Sequence, residues 1–342
     1  MNIPDTMRIR IQHACEAAIV LAMLVVASAA VAAATFSPTP VAAGAGSVTP
    51  VAHWEIQSSA VAQQGGAEIS TVDFKTKDWY PVSGRATVMA GLLENGKYKD
   101  VFHDDNLRAV EVPDAGHHRF VIPWWYRTQF TLAKTGQGLH TLLRTNGIIG
   151  GADVWVNGHE IADRASVMGA YPVHEFDVTR WVHDGVNTLA LRVHPADPQR
   201  DFSMGWVDWN PEPPDNNMGP WRGVDIVQTG PVELRFPAVT SDLSLPDLAR
   251  AALTVKAEVR NLDSVPHDAI VTGEVAGVSL QQKVHLEAGQ TRTVTFSPKT
   301  DPGLALDHPK VWWPVGMGEH PLYDLNLTAS VDGAESDRAA TT

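Results

Sequence analysis

Short stretches in which apolar and polar residues alternate recur along most of the chain and predict β-strands. Residues 253–259 and 325–332 show this two-residue period, and residues 188–194 repeat it nearer the middle. Asn157-Gly158 lies between two runs that carry apolar residues, which is the strongest short signal for a β-hairpin. A long 3.6-residue helical period is not evident. The pattern therefore predicts an all-β protein.

The strand pattern divides into two predicted domains. Residues 51–230 combine strands with long irregular loops, which favours a jelly-roll-like β-sandwich. Residues 231–342 hold short strands separated by regular turns, which is typical of an immunoglobulin-like β-sandwich. Residues 35–50 are uncharged and rich in Ala, Gly, Ser, Thr and Pro, so they are predicted to be a linker.

The N-terminus has the plan of an export signal. Arg8 and Arg10 precede an apolar stretch over residues 17–34, and Ala30-Val31-Ala32 offers a small-residue cleavage site. Residues 1–34 are therefore predicted to be a signal peptide, and the mature protein to be periplasmic or extracellular with no membrane contact. The alternative is an uncleaved anchor, because the stretch lies at the lower edge of spanning length.

Composition narrows the function classes further. The chain has 26 Lys and Arg against 39 Asp and Glu, a net charge of −13, which argues against nucleic acid as a partner. No nucleotide-binding or nucleophile-elbow motif is present, and the 14 His residues do not cluster. The one cysteine, Cys15, lies in the predicted leader. Neither a cofactor nor a metal site is therefore expected.

The run from Gly205 to Arg222 carries the candidate chemistry. It contains three Trp, four Pro, three Asn, two Asp and one Glu. The prolines exclude a helix and a central strand, so the run is predicted to be a stiff loop. Indole faces beside carboxylates and amides suit a sugar, because the ring stacks on the pyranose while the polar groups take its hydroxyls. The alternative is an aromatic loop that closes the sandwich.

These features together resemble the N-terminal half of glycoside hydrolase family 2. The motifs that carry the resemblance occur in the family's order, at residues 79–82, 87–88, 95–100, 125–127, 152–158, 171–179, 185–189 and 312–323. Within the family, the 205–222 run looks most like that of exo-β-D-glucosaminidases, which release glucosamine from chitosan. The resemblance implies that this run lines the pocket for the terminal sugar, and it assigns substrate contacts to Asp208, Trp209, Asn210, Asp215 and Trp221.

One departure from the family pattern limits what this chain does alone. Family members continue into a TIM barrel that carries both catalytic carboxylates, and this sequence shows no barrel pattern. Asp208, Glu212 and Asp215 share one stiff loop, which does not suit the paired carboxyls of a retaining glycosidase. The chain is thus expected to hold no catalytic residue and to be inactive alone. Alternatives are a β-mannosidase or β-galactosidase of the family, a free carbohydrate-binding module, or a structural cell-envelope sandwich.

Overall fold

β-strands dominate the structure, which confirms the all-β prediction. The structure is a computed structural model that describes residues 36–104, 106–111, 120–133, 138–197, 200–201 and 213–342. Residues 38–342 belong to one unit. The predicted signal peptide, residues 1–34, lies outside the described residues. No helix of the described part has the length and apolar character needed to cross a bilayer.

Two facing sheets form the first sandwich. Its strands are β1 Thr39–Pro40, β2 Ser47–Pro50, β3 His53–Ser58, β4 Tyr80–Ser83, β5 Trp124–Leu132, β6 His140–Thr145, β7 Ala152–Val156, β8 His159–Ala162, β9 His174–Asp177, β10 Gly185–Val193 and β11 Val224–Thr229. One sheet has the order β4-β3-β5-β10-β7-β8, with β1 parallel to β5, and the other has the order β2-β11-β6-β9.

The predicted hairpin is present between β7 and β8. Asn157 and Gly158 have φ values of 48° and 86°, the left-handed backbone that a two-residue type I′ turn requires. Asn and Gly tolerate this conformation at low cost, which is why the dipeptide predicts the turn. The turn is also anchored from outside, because the Asn157 side-chain amide donates to the carbonyl of Trp181.

Short helical segments cover the sheets at their edges. They are α1 Gly66–Ile69, α2 Val88–Glu94 and α3 Asn106–Glu111, with 3₁₀ turns at Arg164–Ser166, Thr179–Trp181 and Pro302–Leu304. Around α1, Ile69 packs with Trp125 of β5 and Ala190 of β10 on the outer face of the larger sheet. Both faces of β5 and β10 are therefore covered.

Part of the predicted linker belongs to the first sandwich, so that prediction is wrong for residues 39–50. Thr39 and Pro40 pair with β5, and residues 47–50 pair with β11. Val41 is buried in the sandwich core. Small uncharged residues are typical of flexible linkers, but here the neighbouring strands supply the backbone hydrogen bonds and the apolar surface that order them.

The second sandwich follows Pro231. Its strands are β12 Val232–Leu243, β13 Arg250–Asn261, β14 His267–Val275, β15 Val278–Leu286, β16 Thr291–Phe296, β17 Ala305–Asp307, β18 Leu325–Val331 and β19 Ala334–Thr341. One sheet has the order β12-β13-β16, with β17 beside β13, and the other has the order β15-β14-β18-β19. The alternating apolar residues of β13 and β18 point into a shared core, as their period predicts.

Candidate functional site at one end of the first sandwich

Asp215 fixes the described end of the Trp-rich loop to the body of the first sandwich. Its side chain is 1% exposed. One carboxylate oxygen accepts the backbone N–H of Met89 at 2.7 Å, and the other accepts the N–H of Asn217 at 2.9 Å. Burial raises the pKa of the Asp215 carboxyl, and these hydrogen bonds oppose the rise. These are the contacts of a loop anchor, and the predicted sugar contact of Asp215 stays a prediction.

The anchor works through the N-terminus of α2. Thr87 is the N-cap of this helix, and its hydroxyl accepts the N–H of Ala90 at 3.2 Å. The N–H of Val88 donates to the carbonyl of Met218. Helix N-termini carry N–H groups without intrahelical partners, and here the loop satisfies them. The loop segment from Asp215 to Met218 and the start of α2 thus stabilise each other.

Gly219 continues the attachment one residue further along. Its N–H and its carbonyl both hydrogen bond to Ile149 at 3.1 Å, and its φ is 138°. A Cβ atom at this position would lie 2.7 Å from the Tyr126 hydroxyl and 2.8 Å from the Ala86 carbonyl. Only glycine therefore fits the close approach of the loop to the sandwich.

Trp221 lies at the end of the loop with its indole half-buried. The indole Nε1 donates to the carbonyl of Ala170 at 2.8 Å. The side chain packs against the buried cluster of Ile149, Ala170 and Ala196, and the ring meets Tyr171 edge to face with 5.6 Å between centroids. Tyr171 is itself exposed. Two aromatic rings are thus held at the surface, which is what stacking on a sugar requires.

The structure describes two of the five predicted substrate residues, Asp215 and Trp221. Trp221 is at the surface, and Asp215 is in the interior. Asp208, Trp209 and Asn210 lie outside the described residues, so their predicted sugar contacts stay predictions. The loop is described only from residue 213 onward.

A cleft of about 570 Å³, lined in part by Ala196, was not predicted from the sequence. Ala196 belongs to the cluster against which Trp221 packs, and it also lines the cleft together with Arg164 and Asp201. The Arg164 guanidinium lies 3.3 Å from the Asp201 carboxylate, and its Nε donates to the carbonyl of Gly150. Arg164 and Asp201 have no distinctive sequence context, so only the fold shows that they line one cleft with Ala196.

The carboxyl with a pKa raised to about 7 lies elsewhere, between the two sandwiches. This group is Glu233 of β12, whose pKa is raised by burial and by the charge of Glu175, against the opposing effect of Arg260. Its side chain is 0% exposed, and one oxygen lies 2.7 Å from Arg260 Nη2. A raised pKa suits a general acid, but this carboxyl is closed to any sugar.

Comparisons with known proteins identify the family. A family model described as "Glycosyl hydrolase 2 galactose-binding domain-like" matches residues 54–201, and one described as "Glycosyl hydrolases family 2" matches residues 232–342. The two matched segments correspond to the first and second sandwiches.

The chain is also similar to characterised relatives. An exo-β-D-glucosaminidase of Streptomyces avermitilis is 45% identical over 88% of this chain and 32% of its own length. That of Amycolatopsis orientalis is 47% identical over 88% of this chain and 28% of its own length. The crystal structure of the Amycolatopsis orientalis exo-chitosanase superimposes with a TM-score of 0.79 at 45% identity, covering 86% of this chain and 33% of that one.

The chain therefore spans about a third of the length of the curated relatives it matches. A β-D-mannosidase from Dictyoglomus thermophilum, 21% identical with a TM-score of 0.60, shares the fold. The family models and the relatives agree on both sandwiches. The chain belongs to glycoside hydrolase family 2, of which it carries the galactose-binding-like and immunoglobulin-like domains.

Proposed function

We propose that this chain is the N-terminal part of an exported, retaining exo-β-D-glucosaminidase that hydrolyses chitosan oligosaccharides. Relatives that match most of the chain at 45% and 47% identity carry that activity in their names. One of those relatives, the Amycolatopsis orientalis exo-chitosanase, has been solved in complex with p-nitrophenyl β-D-glucosamine. The basic and apolar N-terminus supports export.

The role proposed for the first sandwich is to wall the pocket of the terminal sugar. The observation that carries this role is the position of Trp221. Its indole is fixed by a hydrogen bond to Ala170 and by Tyr171, while the preceding segment is anchored through Asp215. A rigid aromatic face loses little entropy when a sugar stacks on it. Asp208, Trp209 and Asn210 are the residues proposed to bind the hydroxyls.

The bond-breaking carboxylates are proposed to come from outside this chain. A retaining glycosidase needs two carboxyls about 5–5.5 Å apart, one as nucleophile and one as acid and base. The Asp215 carboxylate is buried and occupied by backbone N–H groups, and the Glu233 carboxyl is closed off by burial. The resemblance to the family assigns both catalytic groups to a barrel. This chain alone is therefore proposed to be inactive.

The test compares the isolated chain with a chimera in which it replaces the matching region of the Amycolatopsis orientalis enzyme. We expect no hydrolysis of p-nitrophenyl β-D-glucosaminide by the chain and measurable hydrolysis by the chimera. In the chimera, Trp221→Ala is expected to lower kcat/KM about tenfold or more, because stacking is lost where the sugar binds. Trp79→Ala is the matched control, since Trp79 packs on Phe74 at a different cluster.

Other outcomes would reject parts of the proposal. Turnover by the isolated chain would show that it carries its own catalytic carboxyls. A chimera that prefers p-nitrophenyl β-D-mannoside would favour the β-mannosidase alternative. Equal kcat/KM for Trp221→Ala and Trp79→Ala at matched stability would remove Trp221 from the sugar pocket.

A carbohydrate-binding module is the second candidate, because Tyr171 is exposed beside Trp221. Calorimetric titration of the isolated chain with chitosan oligosaccharides separates the two functions. Tight binding that is lost in both Tyr171→Ala and Trp221→Ala would favour the module, whereas weak or absent binding fits a pocket that is incomplete without the barrel.

A further inference from the structure

Three separate segments of the first sandwich meet beneath Trp221. Each contributes one residue to the buried cluster against which the indole packs, namely Ile149, Ala170 and Ala196. Ala170 also supplies the carbonyl that accepts the indole N–H at 2.8 Å. The direction in which the indole faces therefore depends on how these three segments are held against one another.

The guanidinium of Arg164 joins two of these segments. Its Nε donates to the carbonyl of Gly150 at 2.9 Å, and its Nη2 donates to the carbonyl of Pro195 at 3.4 Å and to the Asp201 carboxylate at 3.3 Å. Gly150 and Pro195 are each adjacent in sequence to a residue of the cluster beneath Trp221. One side chain thus bonds to two of the three segments at once.

The third segment follows Arg164 along the chain. Arg164 begins a 3₁₀ turn, and its carbonyl accepts the N–H of Val167 at 3.2 Å. Two residues later, the carbonyl of Gly169 accepts the N–H of Ile148 at 3.0 Å, and the chain then reaches Ala170. The place of Arg164 therefore also affects the place of the Ala170 carbonyl that holds the indole.

The two bridged segments are also bonded to each other and to the chain that carries the indole. The N–H of His194 donates to the carbonyl of Gly151 at 3.0 Å. Ile149 exchanges two backbone hydrogen bonds of 3.1 Å with Gly219, which lies two residues before Trp221. A displacement of these segments therefore moves both the surface beneath the indole and the backbone from which it extends.

Arg164 is itself held in place by two carboxylates. Its backbone N–H donates to Asp153 Oδ1 at 2.8 Å, and Asp153 Oδ2 lies 2.7 Å from His194 Nε2. Asp201 Oδ2, which accepts from the guanidinium, also accepts the N–H of Asp197 at 2.9 Å. The planar guanidinium presents several donors in one rigid fork, so an arginine can serve two carbonyls and a carboxylate together where a lysine cannot.

We propose that Arg164 is a positioning residue for Trp221, whose indole it holds in the orientation that meets the terminal sugar. Arg164 makes no contact with the sugar and acts through the segments that carry Ile149, Ala170 and Ala196. The proposal rests on the proposed function, because that function places Trp221 in the sugar pocket.

Activity is expected to depend on the guanidinium more than stability does. The Arg164 and Asp201 side chains are 36% and 10% exposed, and ion pairs that solvent reaches contribute little to the stability of a folded chain. By contrast, a displacement of about 1 Å in a group that positions substrate can cost about a hundredfold in rate. Loss of the guanidinium is therefore expected to lower kcat/KM severalfold while the Tm falls by only a few degrees.

The experiment is a double-mutant cycle in the chimera with the Amycolatopsis orientalis enzyme. Arg164→Met keeps the apolar stem and removes the guanidinium, and it is expected to lower kcat/KM for p-nitrophenyl β-D-glucosaminide about fivefold. In a Trp221→Ala background the same change is expected to cost less than about twofold, because the group that Arg164 positions is gone. Equal losses in both backgrounds would indicate a general loss of structure and would overturn the proposal.

Two further variants complete the cycle. Arg200→Met is the matched control, since Arg200 lines the same cleft and its pair with Asp197 is 85% and 44% exposed, so its kcat/KM is expected to stay unchanged. Arg164→Lys keeps the charge without the fork and is expected to behave like Arg164→Met. Full activity in Arg164→Lys, or an equal loss in Arg200→Met, would overturn the proposal.

Unfolding of the isolated chain separates a failure of this proposal from a failure of the proposed function. Positioning predicts that Trp221→Ala shifts the urea midpoint less in the Arg164→Met background than in the unaltered chain. Uncoupled midpoints beside a chimera that hydrolyses glucosaminides would overturn the positioning role and leave the proposed function intact. Coupled midpoints beside an inactive chimera would reject the proposed function and leave Arg164 as the residue that orients Trp221.

Discussion

Arg235 and Glu175 form an ion pair that joins the two sandwiches. Arg235 Nε of β12 lies 2.8 Å from Glu175 Oε2 of β9, and the Glu175 side chain is 2% exposed. The other Glu175 oxygen accepts a hydrogen bond from Arg144 Nε at 2.7 Å. Burial raises the pKa of Glu175, but Arg144, Arg235 and Arg260 together hold it below its ordinary value. The carboxylate therefore depends on arginines from both sandwiches.

Replacing Arg235 by methionine is expected to lower the free energy of unfolding by about 1.5–3 kcal/mol, because the buried Glu175 carboxylate loses one of its charged partners. Urea unfolding at pH 7 measures the change. Arg250→Met is the matched control, since the Arg250–Asp307 pair is 81% and 79% exposed and contributes little. Similar midpoints for the two variants would show that the Glu175–Arg235 pair does not hold the sandwiches together.

Glu233 is expected to make stability fall as the pH rises. Its pKa is raised from 4.5 to about 7, mainly by burial, so between these values the folded chain keeps a proton that the unfolded chain has released. Stability therefore decreases from about pH 4.5 to about pH 7 and then levels off for this group. Asp337, whose pKa burial raises to about 6, acts in the same direction.

Unfolding midpoints measured from pH 5 to pH 8 test this expectation. Glu233→Gln removes the titrating group and is expected to flatten the slope between pH 5 and pH 7. Glu274→Gln, on an exposed position of β14, is expected to leave the slope unchanged. An unaltered slope in Glu233→Gln would mean that the Glu233 carboxyl does not titrate in this range.

His140 adds a second pH-dependent contact between the sandwiches. Its Nδ1 lies 2.8 Å from Asp177, and its Nε2 lies 2.9 Å from Asp263 in the second sandwich. Hydrogen bonding to Asp177 is the largest cause that raises the pKa of His140 above 6.5, although burial opposes it. The protonated form thus stabilises the folded chain below pH 6.5, and this contribution is lost as the pH rises through the folded pKa.

His140→Gln separates this contact from that of Glu233. The glutamine keeps hydrogen-bonding capacity without the charge, so we expect a lower unfolding midpoint at pH 6 and little change at pH 9. Limited proteolysis near Pro231 at the two pH values reports on the same contact. His285→Gln, whose ring is half-exposed and paired within the second sandwich, is the control. If His140→Gln lowered the unfolding midpoint equally at pH 6 and pH 9, the charge of His140 would not contribute to the stability of the folded chain.

The sequence predicts the regular strands because their stability comes from a local pattern. Residues 253–259 and 325–331 place every second side chain in one core, and Asn157-Gly158 selects its turn by backbone preference alone. Each feature depends on neighbours in sequence. The same logic mispredicts residues 39–50, whose order comes from β5 and β11, far along the chain.

The candidate site is less predictable because its contacts join distant parts of the chain. Asp215 is separated by 126 residues from Met89, whose N–H it accepts. An acid in a Trp-rich loop gives no local sign that it will be buried beneath a helix N-terminus. Likewise, Glu175 and Arg235 lie on strands of different domains, so their pairing is visible only once the sandwiches are in contact.

Asp215 provides the final prediction. In Asp215→Asn one carboxylate oxygen becomes an NH₂ group, which must face the N–H of Met89 or of Asn217, so one buried hydrogen bond is lost. We expect the isolated chain to lose about 1.5–3 kcal/mol in urea unfolding. Asp73→Asn, at an exposed position of the same domain, is the control and is expected to unfold like the unaltered chain.

The kinetics of the chimera decide whether Asp215 acts by holding the loop or by binding sugar. A positioning role predicts that Asp215→Asn and Thr87→Val lower kcat/KM by similar factors. Thr87→Val removes the hydroxyl that caps α2 and so loosens the helix N-terminus on which the Asp215 segment is anchored. Direct sugar binding by Asp215 predicts a large loss for Asp215→Asn alone. Since the carboxylate is buried and already accepts two backbone N–H groups, we expect the paired losses.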